Sequence, residues 1–241
     1  MKLTEKCYCV TGLAHSDCFS VNAGFVVGEK ETIVIDSGFT TESAKTIYGY
    51  CQAVKTQNIS YIINLEGHYD HIFGNGFFID KGAKIVAHPS VCLEKQDIDE
   101  FVHSSNKEIK VGSRRENKEA FIYFRGVTPF TPDIGVERDM DLNIEGVTLK
   151  IYVAPGHTET NLIVHSEEED VAYVADTVYS GYLPTLRFGN EKLWRLWLKS
   201  LDLLEQLNPG IVVPGHGEVL YKESLEKEIE RHRKILERYI E

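Results

Sequence analysis

Short apolar runs broken by Gly, Asp and Asn set the pattern of the first part of the chain. The runs NAGFVVG (22–28) and TIVIDSG (32–38) flank Gly28-Glu29-Lys30-Glu31, which predicts a hairpin. Residues 40–57 change period: Ala44, Ile47, Tyr48 and Cys51 recur at helical spacing, with Thr40 or Thr41 placed to cap. SYIINLE (60–66) and KIVAH (84–88) read as strands again. The order strand, helix, strand, polar loop predicts an α/β layer, and in such layers sites lie at strand ends.

Residues 93–120 are polar and charged and read as a helical insertion that covers or flanks a site. The second half repeats the style of the first. LKIYVAP, NLIVHSE, DVAYVAD and GIVVPGH predict four short strands, each ending in polar residues. Residues 191–207 carry Leu193, Trp194, Leu196, Trp197, Leu201, Leu204 and Leu207, a helix with a broad buried face. Residues 222–240 carry Leu225, Ile229, Leu236 and Ile240 among charges and predict an amphipathic C-terminal helix. No linker composition interrupts the chain. The expectation is one domain over 1–241, with 93–135 and the loop at 179–190 forming the rim of a site.

Composition narrows the classes. The chain has 241 residues, 42% of them hydrophobic, and a formal net charge of −11. That length supports a sizeable core. No block of Lys or Arg tracks a phosphate backbone, so no nucleic-acid partner is expected. No apolar stretch approaches the roughly 18 residues of a membrane span, and MKLTEKCYCV lacks the apolar run of a secretory signal. Cys7, Cys9, Cys18, Cys51 and Cys92 are scattered, without zinc-ribbon spacing, and fit reduced thiols in the cytoplasm. On a strand, Cys7 and Cys9 would share one face. The expected partner is a small-molecule substrate; the oligomeric state is left open, a homodimer included.

Candidate chemistry concentrates in polar segments after predicted strands. NLEGHYDHIFGN (64–75) holds Glu66, His68, Asp70 and His71; APGHTET holds His157, VAYVADT ends a strand on Asp176, and VPGHGE holds His216. Glycine beside His157 and His216 lets the backbone turn sharply. Imidazoles and carboxylates together suit Zn, Fe or Mn. Seven such side chains exceed the needs of one tetrahedral ion and match two ions with a shared carboxylate, a pairing that generates a nucleophilic hydroxide at neutral pH.

From VNAGFVVGEKETIVIDSG to VPGHGE the sequence resembles the metallo-β-lactamase superfamily, whose pattern is H-x-H-x-D-H, a His in a PGH-like loop, a strand-ending Asp and a final His. The resemblance implies a four-layer αβ/βα sandwich of two mixed sheets with helices outside. It implies one ion on Glu66, His68 and His157, a second on Asp70, His71 and His216, and Asp176 between them. It implies a hydrolase of esters, thioesters, lactones or phosphoesters, with Asp70 also accepting a proton. The departure is Glu66, which stands at the first His position. Two divalent ions are balanced by Glu66, Asp70, Asp176 and one hydroxide, whereas a His there would leave a positive charge. Three readings of Glu66 stay open: a dinuclear site, with Zn the first expectation, that is shifted toward Mn or Fe or binds its first Zn less tightly; a mononuclear site that Glu66 does not join; or a degenerate site. The diiron flavoproteins of the superfamily carry their Glu at the second position instead.

Further residues are weaker candidates. Tyr179 lies three residues after Asp176; a Tyr at that offset in lactonases of the superfamily faces the substrate carbonyl, against the alternative of a packing aromatic. Arg187 in PTLRFGN is a candidate clamp for a substrate carboxylate or phosphate, against a surface Arg. Asn161 and Thr158 are expected to orient backbone. His15, His88, His103, His165 and His232 lack partners at ligand spacing and are read as surface or core residues. The rival classes are a mononuclear iron enzyme resembling the superfamily's persulfide dioxygenases and a non-catalytic metal-binding protein.

Overall fold

The computed structural model describes residues 1–13, 20–108 and 119–240. In chain order the elements are β1 (Cys7–Leu13), β2 (Val21–Val27), β3 (Glu31–Ile35), α1 (Thr41–Val54), β4 (Asn58–Ile63), α2 (Tyr69–Ile72), α3 (Asn75–Ile79) and β5 (Lys84–Ala87). Then follow α4 (Lys95–Glu108), α5 (Glu119–Tyr123), β6 (Ile134–Gly135), β7 (Met140–Ile144), β8 (Val147–Val153) and β9 (Leu162–Ser166). The chain closes with β10 (Val171–Tyr179), α6 (Glu191–Leu207), β11 (Ile211–His216), β12 (Leu220–Tyr221) and α7 (Lys222–Glu237). No helix among the described residues is long and apolar enough to cross a membrane.

In the first half, β1, β2 and β3 pair antiparallel, and β3, β4, β5 and β6 run parallel. In the second half, β7 to β10 form an antiparallel meander and β11 lies parallel to β10. The halves join through one strand pair, His216 opposite Val21, so ten strands form a continuous path, with β1 on β2 and β12 on β11 beside it.

Strand period then builds three hydrophobic clusters. Val26, Ile33, Ile35, Ile63 and Val86 of the first half meet Leu149, Ile151, Leu162, Val171, Tyr173 and Val213 of the second, so the two half-sheets face each other. Their alternate neighbours point outward. Phe25, Val34, Ile62 and Ile85 pack under α1, α3, α4 and α5; Ala172, Val174 and Val212 pack under α6 and α7. The result is helix, sheet, sheet, helix in four layers. Cys7 and Cys9 share the central face as buried free thiols, and burial pushes them up to about 11 and about 12. Cys51 is also free and buried, Cys92 is free and exposed, and Cys18 and His15 lie outside the described residues.

Several expectations shift. Helix α1 is capped by Thr40, whose hydroxyl accepts from Ser43 N, but it stops at Val54. Lys55 is extended, and its Nζ donates to Gly28 O and Glu29 O of the hairpin, which pulls the chain out of the helix. The helical insertion is present as α4 and α5, with 109–118 outside the described residues. Its apolar side is aromatic: Phe101 lies 4.8 Å from Tyr69 and 5.2 Å from Phe73, and Phe124 lies 5.0 Å from Phe39. The segment thus braces α2 from behind.

Candidate metal centre

The first ligand segment leaves β4 and is tied down before it reaches the site. Asn64 and Asn75 exchange side-chain hydrogen bonds at 2.7 and 3.2 Å. Leu65 N donates to Asp36 Oδ1 at 2.9 Å, and Leu65 O accepts from Leu162 N across the two halves at 2.7 Å. Glu66 follows, fully buried. Asp70 and His71 lie in the single turn of α2, and not in the loop that the sequence predicts. The aromatic brace on Tyr69 and Phe73 makes that turn helical.

The second half supplies the rest. His157 follows β8 in its PGH turn. Asp176 does not end its strand: β10 runs on to Tyr179, and its register on β11 shifts on both sides of Ala175, whose φ is 42°. That irregularity turns Asp176 toward the site. His216 is likewise the last residue of β11 and not part of a loop.

The two PGH glycines serve close approach. A Cβ on Gly156 would stand 2.6–2.7 Å from Trp197 of α6, and one on Gly215 would fall onto Asp176 Oδ1. The sharp turn expected of glycine is the lesser part of their role.

Three of the four imidazoles are oriented from behind. His71 Nδ1 lies 2.8 Å from Asp36 Oδ2, His216 Nδ1 donates to Ser20 O at 2.8 Å, and His157 Nδ1 donates to Thr185 O at 3.2 Å. Carbonyls only accept, so these bonds put the proton on Nδ1 and leave Nε2 free to ligate. Among the described residues the ligand atoms fall into two groups, each within 4.8 Å: Glu66, His68, His157 and Asp176 in one, Asp70, His71 and His216 in the other. Asp176 Oδ2 is 3.5 Å from His157 Nε2, and its Oδ1 is 3.3 Å from His216 Nε2. His216 Nε2 is also 3.3 Å from Asp70 Oδ2, and His157 Nε2 is 3.2 Å from His68 Nδ1.

Both Glu66 oxygens, Asp176 Oδ1 and His71 Nε2 are buried without a hydrogen-bond partner. Buried polar atoms are nearly always partnered, so this converging set of O and N donors fits divalent ions. The electrostatics agree. Burial alone would raise Asp70, but His71 and His216 hold it at about 2. Asp176 is likewise driven well below its usual range despite burial, by His216 and His71. Burial opposes charge on the imidazoles too, yet Asp176 and Asp70 lift His216 to about 10, and Asp36, Asp70 and Glu66 lift His71 well up. Protons on the histidines supply the positive charge that the carboxylates demand.

Tyr179, expected either to face a substrate carbonyl or to pack, is buried against the ligands. Its hydroxyl donates to Asp176 Oδ2 at 2.6 Å, its ring stacks on His216 at 5.6 Å, and it is 1% exposed. The hydroxyl also lies 3.4 and 3.5 Å from the two ring nitrogens of His157, so it is held within the ligand cluster. Arg187 is exposed and lies over the Phe188 ring at 4.4 Å. Asn161 Oδ1 accepts from Thr158 N and Oγ1 at 2.6 and 2.7 Å, orienting the PGH turn. His165 and His232 are buried.

Three neighbours of the site were not legible as such. Asp36 follows TIVI as Asp176 follows VAYVA, a strand run into an Asp, and that parallel was the available signal. His232 fills a gap in the buried stripe of α7 between Ile229 and Leu236 and accepts from Tyr179 N at 3.0 Å. Phe188 packs on His68 at 4.3 Å and carried no sequence signal.

Known proteins extend the picture. The chain is 25% identical over 210 residues to 2,4-dinitroanisole O-demethylase subunit alpha of a Nocardioides strain, covering 85% of this chain and 55% of that protein. It is 23% identical over 216 residues to the beta-lactamase-like protein 2 homolog of Caenorhabditis elegans, covering 85% and 60%. The chain therefore spans little more than half the length of these relatives. In structure it is similar to a metallo-β-lactamase family protein of Thermus thermophilus, with TM-score 0.74, 20% identity, and 98% and 82% of the two chains covered. A metallo-β-lactamase of Pontibacter korlensis matches with TM-score 0.70 and 16% identity over 97% of each chain. At these identities the likeness speaks for the fold alone. The sequence profile described as the metallo-beta-lactamase superfamily matches residues 16–216, most of the chain, and the chain belongs to that superfamily.

Proposed function

We propose that this chain is a metal-dependent hydrolase of a small molecule, with one divalent ion in each ligand group and Asp176 shared between them. The observation that carries this reading is the pair of adjacent ligand groups, in which both Glu66 oxygens and Asp176 Oδ1 are buried without a hydrogen bond. When bound, the ions supply a nucleophilic water at neutral pH and polarise the carbonyl or phosphoryl oxygen under attack. Asp70, with its side chain 13% exposed, is the site carboxylate open to solvent and is the proton acceptor. His68, 26% exposed and faced by Phe188, marks the open side from which substrate enters. Tyr179 holds Asp176, and Asp36 holds His71. We place the reaction in the cytoplasm, where free thiols such as Cys92 stay reduced.

A groove of about 870 Å³, lined by none of the seven ligands, lies between residues 183–187, α6 and the end of α7, and we assign the body of the substrate to it. Leu183, Leu186, Trp194 and Ile235 give it apolar walls; Arg187 and Arg238, both exposed, give it two positive charges in a chain of net charge −11. An ester, thioester, lactone or phosphoester with an apolar body and an anionic end suits such walls.

The test is metal analysis of protein purified without added metal, followed by turnover on a panel of these esters with and without a carboxylate. 2,4-Dinitroanisole, the compound named for one relative, joins the panel. Two metals per chain with hydrolysis supports the reading, and Arg187→Ala with Arg238→Ala is expected to raise KM for the anionic members about tenfold, as loss of a charge-assisted hydrogen bond does. One iron per chain with oxygen uptake would move the protein to the redox class. No turnover with any metal would make it a binding protein.

A further inference from the structure

Glu66 stands where the superfamily motif has a His, and its two oxygens face different ligand groups. Oε2 lies 2.7 Å from His68 Nδ1 and 3.8 Å from His157 Nε2. Oε1 lies 3.4 Å from His71 Nε2. Asp176 divides its oxygens the same way: Oδ2 toward His157, Oδ1 toward His216 at 3.3 Å and His71 at 3.6 Å. Two ligand atoms on one tetrahedral ion, with bonds of about 2.0–2.1 Å, are separated by about 3.4 Å. The Oε1–His71 separation has the value expected of two atoms on the same ion, and the Oε2 separations of 2.7 and 3.8 Å lie on either side of it. If Glu66 served the first group alone, Oε1 would remain buried without a partner. An imidazole at this position, with one free lone pair, serves one ion only.

We infer that Glu66 is a second bridging carboxylate, Oε2 joining the His68/His157 group and Oε1 the Asp70/His71/His216 group. Two carboxylates, Asp176 and Glu66, then span the pair. The second group gains a fifth ligand atom, beyond the four of a tetrahedral zinc site, and two oxygen bridges suit harder ions of higher coordination number. The centre is accordingly built for a coupled pair of Mn or Fe ions. This rests on the dinuclear reading proposed above.

The test uses the full chain stripped of metal and titrated with Mn²⁺, with affinity read by chelator competition and coupling by electron paramagnetic resonance. Wild type is expected to take two ions with an exchange-coupled spectrum. Glu66→His keeps a ligand for the first group and removes the bridge. It is expected to lower Mn²⁺ affinity at the second group at least tenfold, abolish or weaken the coupling, and raise preference for Zn²⁺. Two ions with second-group affinity and coupling unchanged in Glu66→His would overturn the bridge and leave the dinuclear reading intact. One ion in wild type would overturn both. If Glu66→His does not fold, anomalous scattering from Mn-loaded wild-type crystals decides: one Glu66 oxygen on each ion supports the bridge, and both or neither on one ion overturns it.

Discussion

Asp36 holds two groups at once: its Oδ1 accepts from Leu65 N and its Oδ2 from His71 Nδ1. The first bond fixes the backbone one residue before Glu66, and the second fixes the ring of a candidate ligand. Asp36→Asn keeps the size and loses an acceptor, so metal affinity in the His71 group should fall about 10–100-fold, the usual effect of removing a group behind a metal-binding His. Competition with a chromogenic chelator measures it, and unchanged affinity would remove Asp36 from this role. His232 makes a separate statement at the same scale. Burial pushes it down to about 4, so the folded chain keeps it neutral where the unfolded chain, near 6.5, takes up a proton. Its contribution is present above about pH 6.5 and is lost as pH falls from there toward 4, by about 3 kcal/mol in all. Denaturant unfolding of metal-free protein across that window should show the loss in wild type and a shallower slope in His232→Phe. The ligand types were legible in the sequence because they cluster around strand ends. The burial of Tyr179 was not legible, because an offset along the chain fixes neither the direction nor the burial of a ring.

The elements matter through the places where they depart from regularity. Asp176 reaches the site because β10 slips its register on β11 around Ala175, and the slip brings Asp176 Oδ1 against the backbone of Gly215. Gly215→Ala has no room unless Asp176 moves. It should therefore cut metal occupancy several-fold while α6 and α7, packed on the other face, keep their helical signal. Metal analysis beside circular dichroism checks this, and full occupancy would mean that the carboxylate tolerates displacement. Strand period and helix spacing made most elements visible, since a buried face writes its period into the sequence. The short α2 was not visible: a single turn carries too little pattern, and its stability comes from Phe101 and its neighbours, distant along the chain. Asp176 and His216 were taken for loop residues because polar side chains at a strand end look the same as polar side chains beyond it.

For the molecule as a whole, the metal-free centre is an electrostatic compromise. Asp70 and Asp176 are held ionised by protons on His71 and His216. Divalent ions would replace those protons, so loading should release protons to buffer, and binding should tighten as pH rises. Calorimetry in buffers of different ionisation enthalpy measures the release. A proton count of zero would mean that the histidines are neutral in the free protein. The thermal midpoint should also rise with metal concentration, since the ions bind the folded chain. The four-layer architecture was legible from the family pattern. The single seam between the halves was not, because sequence carries no sign of how two sheets meet. That seam, Val21 against His216, ends on a candidate ligand. The N-terminal half brings Glu66, His68, Asp70 and His71, and the C-terminal half brings His157, Asp176 and His216, so neither can assemble the centre alone. Closure comes with β11, which brings His216. The His216 group is then complete only after β11 has been made, and a molecule cut or stalled before residue 216 would lack that ligand and the seam together. Metal held in that group would serve as a record that synthesis had passed residue 216.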